Sequence, residues 1–590
     1  MFHRGTVARF SRASVSQNCV PTTGWIDLTL SVNVTGRTRN SCCNKKSKMV
    51  FAFPEPIELI CSNNGEEEVS PDLAPDSHQV SEIQRFYEGA NVFITGATGF
   101  IGMVLVEKLL RSCPGIEQLF LLVRCRRGKT AEERINQMFR NPLFSRLLEG
   151  QSNVLKKVRI IRGDVEQPNL GISSSDTDTL KKYVNVIIHV AATVRFDEHL
   201  RRAYTINVAS LKDILDMAEA MKNLKAFVHV STAFSQVHRE TECVTENFYP
   251  SPYAEAEIEA LLQSADDYTI ACLTSLVLNK SANTYVLTKA IAEDVIRKRL
   301  DSLPIAVYRP SIVMNTNVEP VHGWSCTLQS AGAMMAGLGL GVLRIVRRIP
   351  HKRADIIPVD KCAAALVALP WYIHTARLKK EAITPIFNHV TDRNPQTWDA
   401  LTDIGLNLHY NDQISSSKQV WAVTFSNEPN EFLYNVKFFL YHVLPLPLFV
   451  LAEKLNGHPP RIWRVYTKIA SVTSLAKPFA MRNWRFFDDN TLRMWSSMSE
   501  KDRLEFPLDV SDIDWKKYFL WGSKGTLTYI LGDKIKSYHS LRVRAMIVIH
   551  KTLQIFMKAL YMFLLFKTVI VGCNFLKSIA VPSEIYRLNN

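Results

Sequence analysis

The chain has 590 residues, 47% of them hydrophobic and 22% charged, which excludes both a single ordinary domain and a disordered protein. Its net charge is +15, but the basic residues are dispersed and show neither zinc-finger spacing nor a long Lys/Arg block. Nucleic acid is therefore not expected as a partner; a phosphorylated ligand, an anionic membrane surface or simply a generally basic surface each accounts for the charge. Eleven irregularly spaced cysteines exclude a disulfide scaffold, show no metal-ligand pattern and suit a reducing compartment.

Residues 1–87 read as a disordered leader followed by an acidic linker. The first 26 residues contain no Asp or Glu and carry Arg4, Arg9 and Arg12. A mitochondrial presequence shares that composition, so a targeting role for 1–48 is the alternative to a plain leader before Met49. The stretch 64–82, NGEEEVSPDLAPDSHQVSE, is acidic, contains two prolines and reads as linker.

From Asn91 short apolar runs alternate with helical stretches: NVFIT (91–95), LFLLV (119–123), VRII (158–161), VNVIIHVA (184–191), AFVHVS (226–231) and IAVY (305–308). Runs that are apolar on both faces suit buried parallel strands. The expected fold class is α/β, a Rossmann-like doubly wound parallel sheet, over residues 88–425.

The first strand runs into TGATGFIG. Gly96 gives a tight turn its freedom in φ, Gly99 removes a side chain where a pyrophosphate would meet a helix N-terminus, and Gly102 lets that helix pack on the strand. The spacing is G-x-x-G-x-x-G, and a strand before it with a helix after it makes it a dinucleotide signal. Arg124, at the end of the second strand, stands where an NAD-preferring fold places an acidic residue. A guanidinium there suits a 2′-phosphate, with Arg126, Arg127 and Lys129 nearby, so the expected cofactor is NADPH. Asp164 and Val165 follow the third strand near the adenine edge, and Ala191 and Ala192 follow the fourth, where small residues let a dinucleotide cross the sheet. The full set assigned to the cofactor is Gly96, Thr98, Gly99, Phe100, Ile101, Gly102, Arg124, Asp164, Val165, Ala191, Ala192, Tyr285, Lys289 and Pro310.

After the fifth strand, Ser231 and Thr232 offer hydroxyls. Successive strand residues face opposite ways, so one points into the site, and Thr232 is preferred, with Ser231 structural. The segment YPSPYAEAEIEALLQ reads as a helix, either shaping a substrate entrance or forming a surface insertion. In NTYVLTK, Tyr285 and Lys289 lie one helical turn apart. An ammonium there would lower the phenol pKa and let Tyr285 give a proton to a carbonyl oxygen as hydride arrives. The catalytic set is Thr232, Tyr285 and Lys289.

Residues 430–525 are richer in aromatics and read as a smaller, mainly helical domain. Within them FFLYHVLPLPLFVLA (438–452) is too short and too proline-broken to span a bilayer; it reads as core, with leaflet insertion as the alternative. Residues 540–582 form an apolar tail. Its most lipophilic part, 559–576, carries a central Lys567, which costs about 2.5–3.5 kcal/mol in a spanning helix, so a span and an interfacial helix both stand.

TGATGFIG, RGDV, HVAATVRFDE, HVSTAF, Tyr285-x-x-x-Lys289 and YRPSIV together resemble the extended short-chain dehydrogenase/reductase superfamily. With Gly323-Trp324, ADIIPVD (354–360) and the helical C-terminal region, residues 88–525 resemble the alcohol-forming fatty acyl-CoA reductases of insect type. That resemblance implies an NADPH-binding Rossmann domain followed by a C-terminal domain also seen in plant male-sterility proteins. It implies reduction of a long-chain acyl-CoA in two hydride steps, through an aldehyde, to a primary alcohol and CoA. After Gly323-Trp324 the chain reads SCTLQSAGAMMAGLGLG where the family has an Asn-rich run with Gly-Pro, so acyl and CoA contacts are not carried over to 320–341.

Other readings are an extended short-chain dehydrogenase acting on a sterol or nucleotide sugar, and a non-catalytic NADP-binding scaffold. The aromatic C-terminal region argues against a sugar, and the intact Tyr285 and Lys289 argue against a scaffold. The expected partners are the acyl-CoA and a membrane lipid surface. The expected address is the cytosolic face of the endoplasmic reticulum, with peroxisome and lipid droplet as rivals.

Overall fold

The computed structural model describes residues 81–580, apart from 151–152, 328–329, 383, 413, 456, 458–461 and 534–538. The expected leader, its targeting alternative and most of the acidic linker lie outside the described residues.

Seven strands form one parallel sheet: β1 (Asn91–Thr95), β2 (Gln118–Val123), β3 (Val158–Arg162), β4 (Val186–His189), β5 (Ala226–Val230), β6 (Ile305–Pro310) and β7 (Ile386–His389). Their order is β7-β6-β5-β4-β1-β2-β3, and every neighbouring pair is parallel. The order reverses between β1 and β4, which makes that crevice the topological switch point. The six expected strands all form. The seventh, β7, is an addition from a stretch, IFNH, that carries two polar residues.

Alternate strand residues feed two cores. Val92, Ile94, Leu119, Leu121, Ile188 and Val228 face one side, and Phe93, Phe120, Leu122, Ile187, Phe227 and Val307 the other. The first side is covered by α2 (Phe100–Ser112) and α7 (Val359–Leu378), the second by α5 (Ser210–Glu219) and α6 (Thr284–Arg297). Helix α7 lies along α2 and is apolar on most of its circumference, as a helix packed on several sides must be. Three shorter helices complete the set used below: α1 (Glu82–Phe86), α3 (Ala131–Phe139) and, before β4, α4 (Ser174–Tyr183).

The folded part begins before residue 88. Ser81 caps α1, Ile83 and Tyr87 are fully buried, and the Tyr87 hydroxyl donates to the Val367 carbonyl of α7 at 3.0 Å. The assignment of residues 81–87 to leader and linker is thereby corrected: these seven residues look polar in sequence, yet two of them fill the core.

The C-terminal region is mainly helical: α8 (Glu431–Phe438), α9 (Leu446–Leu455), α10 (Ile462–Ala480) and α11 (Trp515–Gly525). Met494, Phe506, Leu508, Trp515 and Tyr518 belong to the same core as β1 and α2. Two glycines interlock the regions. A Cβ on Gly323, at φ +67°, would meet the Trp521 carbonyl oxygen at 2.0 Å, and one on Gly525 would meet the Gly323 oxygen at 1.8 Å. Residues 438–452, expected as core, expose much of their apolar surface instead: Phe439, Leu440 and Leu444 are 52%, 42% and 59% exposed.

The tail is a single helix, α12 (Leu541–Ala580), of 40 residues and about 60 Å. Among the described residues it is the one helix long and apolar enough to cross a membrane, with a mean hydropathy of 1.8.

Candidate active site

The expected residues gather at the carboxyl edge of the sheet. Gly96 follows β1 with φ +74°, and a Cβ on it would sit 2.7 Å from the Ala191 backbone nitrogen after β4. A Cβ on Gly102 would lie 2.2 Å from the Gly96 carbonyl oxygen, so α2 seats on the turn only because that position is bare. Gly99 is the N-cap of α2, is exposed, and supplies no side-chain cap. The first amide groups of α2 thus have no side-chain cap, and helix N-termini of this kind suit a pyrophosphate. Thr95 ties the switch point together: its hydroxyl meets His189 Nδ1 at 2.7 Å and accepts from the Ala191 amide at 3.2 Å.

Phe100 does something else. Its ring stacks on Trp324 at 5.8 Å, and the buried Trp324 donates to Asn141 at 2.9 Å. Ile101 is half-buried against the main core, Val165 packs on the opposite core, Ala192 is half-buried, and Pro310 closes β6 opposite His389.

Arg124 and Asp164, expected to meet the 2′-phosphate and the adenine edge of the cofactor, bind each other. The guanidinium is 3.3 Å from Asp164 and 2.5 Å from Glu166. Glu166 also holds Arg202 at 2.9 Å, and these arginines, Arg202 foremost, bring its carboxyl down to about 2. A cation the sequence reading missed stands closer to the glycine turn. Arg134, on α3, donates to the Thr98 hydroxyl at 2.7 Å and to the Arg124 carbonyl at 2.6 Å, both neutral acceptors. Its pKa is lowered by burial and by neighbouring Arg124 and Arg126. Its sequence signal was weak, a basic residue four positions after the capping Thr130.

Tyr285 and Lys289 occupy the first half of α6, whose N-cap is the buried Asn283. Lys289 is 2% exposed and donates to the Val230 carbonyl at the end of β5 at 2.7 Å. Burial lowers it to about 7, against the pull of Glu293. Burial raises the Tyr285 phenol above its ordinary value, while the Thr232 hydroxyl beside it acts the other way. The expectation that Lys289 lowers the phenol is therefore corrected for the ligand-free protein: a dry site disfavours the charged form of both groups. Thr232 and Ser231 do point apart. Ser231 donates to Glu293 at 2.5 Å, while Thr232 faces the phenol.

Glu293 was not singled out in the sequence, yet it continues the Tyr285–Lys289 stripe by one more turn. It pairs with fully buried Arg309 of β6 at 2.6 Å and accepts from Gln236 at 3.0 Å. Asn207 was missed as well. It lies in a π-type turn, Thr205–Ala209, and clasps the backbone of Thr193 while donating to Thr288 of α6 at 2.9 Å.

An aromatic wall stands over the phenol. Phe196 stacks on Tyr285 at 6.1 Å and on Phe479 at 5.3 Å, and Phe234 meets Phe479 edge-on at 5.2 Å. Phe479 comes from α10, so the C-terminal region supplies part of the site.

A dinucleotide turn at a switch point, with a Tyr–Lys pair and a threonine hydroxyl at the same edge, defines a reductase of the short-chain dehydrogenase type. Comparison with known proteins narrows that class. Residues 94–366 match an NAD-binding family model described as male sterility protein, and residues 441–533 match a second model of the same description. Fatty acyl-CoA reductase wat of Drosophila melanogaster is 36% identical over 479 residues, covering 80% of this chain and 91% of that one. Fatty acyl-CoA reductase 1 of Xenopus laevis is 32% identical over 461 residues, covering 78% and 88%. The terminal R domain of the myxalamid biosynthetic pathway shares the fold, with a TM-score of 0.51 at 16% identity over 76% of this chain and 93% of that one. The chain belongs to the fatty acyl-CoA reductase family.

Proposed function

We propose that this protein reduces a long-chain fatty acyl-CoA to a primary alcohol and free CoA, with NADPH as donor, at a membrane surface. The observation that carries this reading is the placement of Tyr285, Lys289 and Thr232 under a wall of Phe196, Phe234 and Phe479, a surface suited to an alkyl chain. The names of the relatives point to the same substrate class.

The bare turn at Gly96–Gly102 and the uncapped start of α2 fit a dinucleotide diphosphate. When bound, the cofactor supplies hydride. Thr232 and Tyr285 hold the carbonyl oxygen of the substrate. Tyr285 delivers its proton to that oxygen as negative charge builds there, and protonated Lys289 stabilises the phenolate left behind. The aromatic wall excludes water from the carbonyl. The first reduction expels the CoA thiol and leaves an aldehyde, and the second leaves the alcohol.

NADPH rather than NADH is supported by the Arg124–Arg134 pair beside Thr98. A 2′-phosphate there would displace Asp164 or Glu166 from Arg124 and find Arg134 bonded only to neutral oxygens. We assign the reductase role to 88–425, completion of the site to 430–525 and anchoring to 540–582, at the cytosolic face of the endoplasmic reticulum. The exposed α12 supports the anchor.

Incubation of the purified full-length chain with palmitoyl-CoA and NADPH tests the proposal. Hexadecanol and free thiol are expected. NADPH binding without turnover would favour a scaffold, and oxidation of a sterol or epimerisation of a nucleotide sugar would favour the other dehydrogenase reading.

A further inference from the structure

Helices α8 and α9 and the turn between them have one packed side and one bare side. On the packed side, Tyr434 meets Thr473 of α10 at 3.2 Å, and buried His442 sits between Phe438 and Tyr466. Arg344 fastens the turn by donating to the Tyr441 carbonyl at 2.7 Å. On the other side Phe432, Phe439, Leu440, Leu444 and Leu451 are exposed, and Trp463 at the start of α10 is 56% exposed. Lone exposed apolar residues are ordinary, but a continuous set of large ones marks a surface that something covers.

Two observations say what covers it. The first is continuity with α12. Trp421 donates to His550 of α12 at 3.1 Å and meets Phe449 of α9 edge-on at 6.1 Å, so the tail leaves the body beside this hairpin. Beyond His550 exposed apolar helix follows to Leu576, about 39 Å. The second is charge. From Lys454, at the end of the hairpin, to Lys477 the sequence has five Lys or Arg and no Asp or Glu, and Lys454 and Arg464 are exposed beside Leu455 and Trp463. Cations flanking an apolar face match an anionic leaflet. A second copy of the chain would bring those cations against their own kind.

We propose that the outer face of the α8–α9 hairpin is a docking surface for an anionic lipid leaflet, separate from the tail helix and seated beside it. This rests on the reading of α12 as a membrane anchor. The hairpin would be held in the headgroup and upper acyl region, and α10, about 28 Å long, would run from that surface at Trp463 to Phe479 at the Tyr285 wall. An acyl chain dissolved in the leaflet would then meet the protein on the side from which its site is walled.

The test uses the full-length chain in vesicles of phosphatidylcholine and phosphatidylserine with brominated acyl chains. A fluorescent amino acid is placed in turn at position 440, at 563 on α12 and at 183. Tyr183 ends α4 just before β4, on the sheet edge away from the site. Quenching at 440 and 563 with none at 183 is expected. With a reporter at 451, the paired changes Leu440→Glu and Leu444→Glu should abolish quenching there and leave it intact at 563. Quenching at 563 without quenching at 440 would overturn the proposal while leaving the anchor. Energy transfer between copies labelled at 440, without lipid quenching, would overturn it in favour of a self-interface. Loss of quenching at both 440 and 563 would overturn the membrane reading itself.

Discussion

Glu293 and Arg309 close an ion pair, 2.6 Å long, in which the two side chains are 1% and 0% exposed. One turn before Glu293 on the same helix face is Lys289, so the pair lies directly behind the proton-handling residues. Ser231 and Gln236 take up further lone pairs of the carboxylate.

Arg309→Met should leave that carboxylate buried without its counter-ion and cost about 3–5 kcal/mol, seen as an earlier urea or thermal unfolding midpoint. Replacing both partners, Glu293→Leu with Arg309→Met, should cost less than the single change. A double variant as unstable as the sum of the two singles would show that the pair is not a unit.

Tyr285→Phe keeps the ring against Phe196 and removes the proton. Alcohol formation should fall at least about a hundredfold, the scale of a lost general acid, while cofactor binding measured by fluorescence stays near normal. Activity within a few fold of the parent would remove Tyr285 from the proposed role.

Lys289 should take up a proton when the cofactor binds. Burial lowers it to about 7, so at pH 8 it is mostly neutral in the free protein, and a polyanion nearby raises it again. Calorimetry at pH 8 in buffers of different ionisation enthalpy should show that uptake, and Lys289→Met should lack it. The same depression makes the ligand-free fold gain stability as pH rises from about 7 toward the ordinary lysine value. Over that window the unfolded chain binds the proton more tightly. Binding with no proton uptake in any buffer would contradict this.

Arg134→Ala should weaken NADPH binding and barely change NADH binding, since only the first carries a 2′-phosphate. Arg124→Ala should do the same to a smaller extent, because Arg124 already neutralises Asp164 and Glu166. Equal loss for both cofactors in both variants would make the two arginines structural.

The sheet was legible because β1, β2, β4, β5 and β6 are mostly apolar on both faces, while the edge strand β3 carries Arg159 and Arg162, and the turn because Gly96 and Gly102 stand where no side chain fits. The strand β7 was not legible. Its Asn388 and His389 look like loop residues, and they are tolerated in the core because Phe487 and Leu508, about a hundred residues later, accept their hydrogen bonds. In the site, Tyr285 and Lys289 could be read as a spaced pair, and Thr232 from strand alternation. Phe196 and Phe479 could not be read that way, since nothing local says that two rings 283 positions apart will stack. Residues 438–452 were misjudged because composition reports how apolar a segment is and not which solvent its outer face meets.

The contact of Gly323 with Trp521 and Gly525 bears on how this architecture can be recombined. The Trp521 carbonyl occupies the space a Cβ on Gly323 would need, and the Gly323 carbonyl the space a Cβ on Gly525 would need, so neither position accepts a side chain. A chimaera joining the first matched region of one relative to the second of another would keep the body intact only if both glycines came with it. The two segments are then inherited as one unit, although some two hundred residues separate them and a family model is written for each.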